Sequence, residues 1–345
     1  MLAPFSIGRL PRIEFGAGRI AVLPEIAAGF GRRFLLVTGG HSFTATPQWV
    51  ELLSAWQARG CDFEHLRVTG EPSPETVDEA VRAWGGTSVD AVIGIGGGSV
   101  LDAAKAIAGL LKTGQTVMDH LEGVGPELPY RGPTTPFIAV PTTAGTGSEA
   151  TKNAVLTRHG PAGFKKSFRD DQLMAVYAIV DPDLLAGCPP ELIAANGMDA
   201  LTQLLESYVS LRANPLTDAL ALSGLRAAIQ GLLPWYQGGA GAVEARGQMA
   251  YAALLSGICL AQTGLGSVHG LAQPLGSFFP IGHGVVCGTL LAAACAVNIE
   301  ALQARAPDSP ALWKYAEVGR LLTGQAALDD AAARACLLYT SPSPR

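Results

Sequence analysis

VDAVIGIGGGSVLDAAK, running from Val89 to Lys105, passes from an apolar strand through three glycines into a helix. The apolar run Val89–Ile95 suits a strand buried in a parallel sheet. Gly96, Gly97 and Gly98 leave the backbone bare enough for a pyrophosphate to come close, and Ser99 opens the helix that follows. The first-turn amides of such a helix, together with its dipole, favour negative charge at that point. A glycine cluster after a strand also serves as a plain turn, so this segment alone is only moderately specific.

A second polar loop strengthens the reading. PTTAGTGSE, Pro141–Glu149, follows the apolar run Phe137–Val140 and offers the hydroxyls of Thr142, Thr143, Thr146 and Ser148. Upstream, short apolar runs alternate with helical stretches: Phe34–Thr38, Pro47–Ala58, Phe63–Val68, Glu75–Ala83. That alternation predicts a βα-wound parallel sheet, in which ligands sit beyond the carboxyl ends of the strands, where both loops fall. After Asp181–Leu185 the pattern changes to long Ala/Leu-rich segments with helical apolar spacing, among them Glu191–Leu211, Leu216–Leu233 and Val243–Gln262. The expected organisation is an α/β dinucleotide-binding domain over residues 1–185, an all-α metal and substrate domain over 186–336, and a tail at 337–345. The proline-bearing LLYTSPSPR of that tail breaks the helical pattern and predicts disorder.

Composition narrows the function classes. Over 345 residues, 48% are apolar and 15% charged, enough for a large core but with no uninterrupted membrane-length stretch expected. The net charge of −5 and the absence of a basic stripe argue against nucleic acid or an anionic membrane as partner. MLAPFSIGRLPRIEFGAG lacks a basic segment followed by an apolar one, which speaks against a cleaved secretion signal. Six cysteines without a CxxC pair fit reduced thiols in a cytoplasmic protein and make a thiolate zinc site improbable.

Within the helical region three polar groups interrupt apolar sequence: Asp199 with Gln203 in GMDALTQLLESY, His269 with Gln273 in SVHGLAQPLG, and His283 in PIGHGVV. Each of the two pairs is four residues apart and shares a helix face. One carboxylate and two imidazoles suit a divalent ion, Fe2+ or Zn2+, with a position left for a substrate oxygen. Leu265, Phe278, Phe279 and Ile281 nearby favour a small uncharged substrate over a polyanion.

Together, GGGSVLDAAK, PTTAGTGSE, GMDALTQLLESY, SVHGLAQPLG and PIGHG resemble the iron-containing (group III) alcohol dehydrogenase family, from PRIEFGAG at residue 11 to about residue 320. The resemblance implies NAD or NADP as cofactor, one divalent metal, an alcohol or aldehyde substrate, and a homodimer or larger homo-oligomer. It implies that Gly96, Gly97, Gly98, Ser99, Asp102, Thr142, Thr143 and Thr146 line the cofactor, and that Asp199, His269 and His283 hold the metal and form the reaction site. Lys165 or Lys166 stands at the spacing of the family's cleft lysine, and surface solvation explains the pair equally well. Gln203 and Gln273 depart from it, standing where many members carry histidine. Gln203 then either ligates weakly through its carbonyl oxygen or leaves three ligands. Any proton relay at Gln273 must run through water, a cofactor hydroxyl or His269. After strand Phe34–Thr38 the chain carries Gly39 and Gly40, with no carboxylate to repel a 2′-phosphate, so the resemblance leaves NADP open beside NAD. The chain also ends a helix or two before the family's usual length. Three rivals remain: a lyase of the dehydroquinate-synthase type, disfavoured by Lys314 being the only lysine after residue 185; a metal-independent reductase of the maleylacetate reductase type, encouraged by the two glutamines; and a nucleotide-binding homologue whose site has decayed.

Overall fold

The computed structural model describes residues 3–160 and 163–340. The chain divides into two compact units, one of Gly8–Thr143 with Ser148–Gly187, the other of Met1–Ile7 and Ala144–Gly147 with Cys188–Arg345. The first is α/β. In chain order it contains β1 (Arg12–Phe15), α1 (Leu23–Ala28), β2 (Arg33–Thr38), α2 (Pro47–Ala58), β3 (Asp62–Arg67), α3 (Pro74–Trp84), β4 (Ala91–Gly96), α4 (Gly98–Leu110), β5 (Phe137–Pro141), β6 (Asn153–Arg158), β7 (Phe164–Arg169) and β8 (Tyr177–Val180). Six strands form one sheet in the order β1-β8-β5-β4-β2-β3, every neighbouring pair parallel. The parallel sheet expected from the alternating pattern is therefore present. An antiparallel ribbon of β6 and β7, which that pattern does not announce, is added to it.

Side chains of a strand alternate between faces, and both faces of this sheet are covered. Leu35, Val37, Val92, Phe137 and Ala139 join one core with Val77, Val81 and Leu101 of α3 and α4. Phe34, Leu36, Ile93, Ile138 and Val140 join another with Leu23, Leu52 and Trp56 of α1 and α2. Burying an aliphatic or aromatic side chain of this size stabilises the fold by about 1.5–3 kcal/mol. The chain order reverses between β2 and β4, since β3 lies outward of β2 and β5 outward of β4. Registers pair Thr38 with Ile95 and Gly96 with Pro141, which aligns the carboxyl ends of these three strands at one edge. A doubly wound sheet binds its ligand in that crevice.

Lys105 is fully buried in α4 and ties the segment after β5 to that helix. Its ammonium donates to Ser148 O at 2.8 Å, Ser148 Oγ at 3.1 Å, Thr151 Oγ1 at 2.9 Å and Asn153 O at 2.8 Å, with the Asp102 carboxylate at 3.7 Å. Burial lowers the Lys105 ammonium to about 8 and raises the neighbouring buried Glu149 to about 7.

The second unit is helical: α5 (Pro190–Val209), α6 (Pro215–Gln237), α7 (Ala242–Thr263), α8 (Ser267–Phe278), α9 (His283–Arg305), α10 (Pro310–Thr323) and α11 (Asp330–Thr340). Proline in the first turn opens α5, α6 and α10, where its missing N–H costs nothing. Asn214 and Thr217 add a reciprocal capping box to α6. The composition led to no membrane-length stretch being expected, but among the described residues α9 is, by length and composition, apolar enough to cross a membrane. Alanines and glycines extend its apolar run from Gly284 to Val297, and α9 packs on α5 and α8 with about a third of its apolar window buried. The helix α11 continues to Thr340 and buries Leu337, while residues 341–345 of the expected tail lie outside the described residues.

Candidate metal centre and dinucleotide cradle

Three helices of the helical unit bring one cluster together. On α5, Asp199, Gln203 and Glu206 stand at intervals of four and three residues, hence on one face, and all three are buried. His269 lies in the first turn of α8, and His283 and Cys287 are one turn apart at the start of α9. Gly284 lets α9 come against α5, since a Cβ there would sit 2.1 Å from Ala195 O. The donor atoms of Asp199, His269, His283 and Cys287 all lie within 4.8 Å of one another.

His269 Nε2 is 3.1 Å and His283 Nε2 3.7 Å from Asp199 Oδ1, and Cys287 Sγ is 3.7 and 3.8 Å from those two nitrogens. Asp199 is 2% exposed and the His283 side chain 28%, so the cluster opens toward solvent on the His283 side. Burial alone would lower the His269 imidazole, but hydrogen bonds to Asp199 and Glu206 outweigh it and hold the ring well above its ordinary value. Burial likewise opposes ionisation of Asp199, while the charges of His283 and His269 keep its carboxyl below the usual range. Burial pushes the Cys287 thiol up.

Glu206 and Cys287 were not among the residues singled out from the sequence. Glu206 Oε2 accepts from His269 Nδ1 at 2.6 Å, and Oε1 accepts from Val268 N at 2.7 Å, one of the first-turn amides of α8 that lack an intrahelical partner. Its signal was its place two turns beyond Asp199; that of Cys287 was its place one turn beyond His283. Gln203 points its amide group at the carboxylate: Nε2 donates to Asp199 Oδ1 at 3.2 Å, and Oε1 accepts from Ser256 Oγ at 2.8 Å. Gln273, one turn past His269, is half-buried, and the four-donor cluster forms without it.

In the α/β unit, Gly97 caps α4 in an extended conformation, with Gly98 and Ser99 in the helix's first turn. No acidic side chain occupies that turn, so the positive end of the helix dipole faces outward uncompensated. Thr142 N donates to Gly96 O at 2.9 Å, and Thr143 lies against Gly97, where a Cβ would meet it at 3.3 Å. Gly39 follows directly on β2 at the same sheet edge. Thr146 is grouped instead with the helical unit, in a loop segment whose Gly147 (φ 62°) lies against Gly257 of α7. Asp102 is engaged in the fold: Oδ1 accepts from Ser148 Oγ and Oδ2 from Val155 N at 3.0 Å. Lys165, on β7, pairs with Glu71, which also accepts from Thr157 Oγ1 at 2.6 Å.

Comparison with known proteins agrees with these features. Residues 11–182 match the profile described as iron-containing alcohol dehydrogenase, and residues 193–339 that of the Fe-containing alcohol dehydrogenase family, C-terminal. Alcohol dehydrogenase 4 of Schizosaccharomyces pombe is 40% identical over 233 residues, 66% of this chain and 53% of that protein. The NADPH-dependent butanol dehydrogenase of Clostridium saccharobutylicum is 33% identical over 279 residues, 80% of this chain and 69% of its own length. Sulfoacetaldehyde reductase from Bifidobacterium kashiwanohense, solved in complex with NAD+, superposes with a TM-score of 0.81 at 26% identity, covering 98% of this chain and 85% of that one. The chain spans only 53% to 60% of the length of several curated relatives that it matches.

Proposed function

As the chain belongs to the iron-containing alcohol dehydrogenase family, we propose that it is an NAD(P)-dependent oxidoreductase that interconverts a small alcohol and its aldehyde or ketone by hydride transfer. The observation that supports this best is the convergence of Asp199, His269 and His283, from three helices, on one partly buried group of donor atoms. A carboxylate and two imidazoles at such separations suit a borderline divalent cation, Fe2+ or Zn2+. When bound, that cation supplies Lewis acidity toward the substrate oxygen, and the dinucleotide supplies the hydride acceptor or donor.

The chain's own residues prepare this chemistry. Glu206 holds the Nδ1–H of His269, which leaves Nε2 as the nitrogen turned toward Asp199 and the cation position. Asp199 contributes a buried negative charge. Phe278, Phe279 and Ile281, exposed directly before His283, offer apolar surface to a short uncharged chain. In the α/β unit the first-turn amides of α4 cradle the pyrophosphate, flanked by Thr142 and Thr143. Gly39 presents no carboxylate after β2, which admits both NAD and NADP. Six cysteines present as thiols accord with a reducing, cytoplasmic setting.

The test is metal content together with turnover. Purified protein is expected to carry about one divalent ion per chain and to reduce NAD or NADP with short alcohols until a chelator removes the ion. Asp199→Ala should lose metal and turnover together, by about 1,000-fold or more, the factor that ~4 kcal/mol of lost Lewis acidity represents. Activity that survives complete metal removal would overturn this reading in favour of a metal-independent reductase. Tight dinucleotide binding without turnover of any alcohol or aldehyde would point to a decayed homologue.

A further inference from the structure

Building on the metal site just proposed, we infer that Cys287 is a fourth protein ligand of the cation, filling the role that Gln203 leaves open, and that the centre is a thiolate site selecting Zn2+ over Fe2+. Gln203 is committed elsewhere. A carboxylate can only accept hydrogen bonds, so the Gln203 amide must turn its NH2 toward Asp199 Oδ1, and its carbonyl oxygen is then bound by Ser256. The one amide atom able to ligate a cation thus faces α7 rather than the cluster.

Cys287 stands where a fourth donor belongs. With zinc bond lengths of about 2.0–2.1 Å to nitrogen or oxygen and about 2.3 Å to sulfur, the edges of a tetrahedron are about 3.3 Å between N and O and about 3.6 Å between N and S. The observed N···O separations are 3.1 and 3.7 Å, and the N···S separations 3.7 and 3.8 Å. The thiol is also held in place. It is wholly buried, one turn from His283 on the same helix, and that helix is fixed on α5 by the Gly284 contact with Ala195. Sulfur is the softest donor in the set and shifts preference toward zinc, while thiolate and carboxylate together neutralise a doubly charged ion. A substrate oxygen would approach the cation from the more exposed His283 side.

The decisive measurements do not depend on turnover. The full-length protein is stripped of metal and loaded with Co2+ at one equivalent. Wild type should show both the d–d bands of a low-symmetry Co2+ site and a sulfur-to-cobalt charge-transfer band in the near ultraviolet. Cys287→Ser should keep the d–d bands and lose the charge-transfer band, and Cys295→Ser, a turn-spaced control on the same helix, should keep both. X-ray absorption of the zinc-loaded wild type should require a sulfur scatterer at about 2.3 Å, a result independent of whether the variant folds. Zinc affinity of Cys287→Ser should fall by more than the ~100-fold that is the upper cost of losing a supporting hydrogen bond. Wild type with d–d bands and nitrogen or oxygen scatterers only would overturn the thiolate while leaving the metal site intact. Wild type that binds no Co2+ would overturn both.

Discussion

At the scale of single residues, the cluster is decided by which proton sits where. His269 contacts carboxylates through both ring nitrogens, at 2.6 Å to Glu206 and 3.1 Å to Asp199, which favours the imidazolium in the metal-free protein. Its folded value is raised, so the stability it contributes is present below its unfolded value near 6.5 and is lost as pH rises through the folded value. A cation needs the Nε2 lone pair and must displace that proton, so zinc affinity should increase from mildly acid to neutral pH, as read by competition with a chromophoric chelator. Glu206→Gln removes the charge that orients the ring. It should weaken metal binding by about 10- to 100-fold and move the His269 imidazole back toward 6.5 in the metal-free protein, measurable by NMR. Unchanged affinity would mean that Glu206 serves only as the cap of α8. Asp199 and the two histidines were legible because charged or titratable groups in apolar helices ask for a reason. Cys287 was not, because a cysteine is at home in an apolar helix whether it ligates or not.

At the scale of the element, β4, its glycine turn and α4 form the unit on which the nucleotide reading rests, and the glycines have two separate duties. A Cβ on Gly96 would lie 2.6 Å from Val100 Cβ, and one on Gly94 would lie 2.9 Å from Ala104 Cβ, so both let α4 pack on the strand it follows. Gly97, at the cap, meets only Thr143 at 3.3 Å and keeps the approach to the first-turn amides clear. Gly96→Ala should therefore destabilise the ligand-free protein by about 1–3 kcal/mol in denaturant melts, the cost of overpacking. A wild-type melt combined with weaker dinucleotide binding would instead make Gly96 a ligand-facing residue only. The strand-to-helix transition itself was readable from the sequence, since periodicity and glycine placement are local properties. The embedding of Lys105 was not. Its acceptors, Ser148, Thr151 and Asn153, are 43 to 48 residues away and meet it only once the segment after β5 folds over α4.

At the scale of the whole molecule, the proposed phosphate cradle lies in the α/β unit and the candidate metal cluster in the helical unit. Chelation should accordingly abolish turnover while leaving NAD(H) or NADP(H) affinity, followed by nucleotide fluorescence, unchanged; joint loss of both would mean that the cation also organises the nucleotide site. Lys314, the one lysine of the helical unit, is used up by Tyr208 O at 2.8 Å and Asp218 at 2.6 Å, which leaves little to bind a sugar phosphate and agrees with setting the lyase alternative aside. What the sequence determined by itself was whatever local pattern encodes: the apolar alternation of a two-sided parallel sheet, the helix-starting prolines, the glycine turn, and three polar residues out of character with their helices. The tertiary structure alone decided which atoms meet. Asp199 and His269 are 70 residues apart, and His269 and Glu206 are 63 apart. Their separations follow from how α5, α8 and α9 cross, and such crossings are set by close packing of small residues such as Gly284 that no single segment displays.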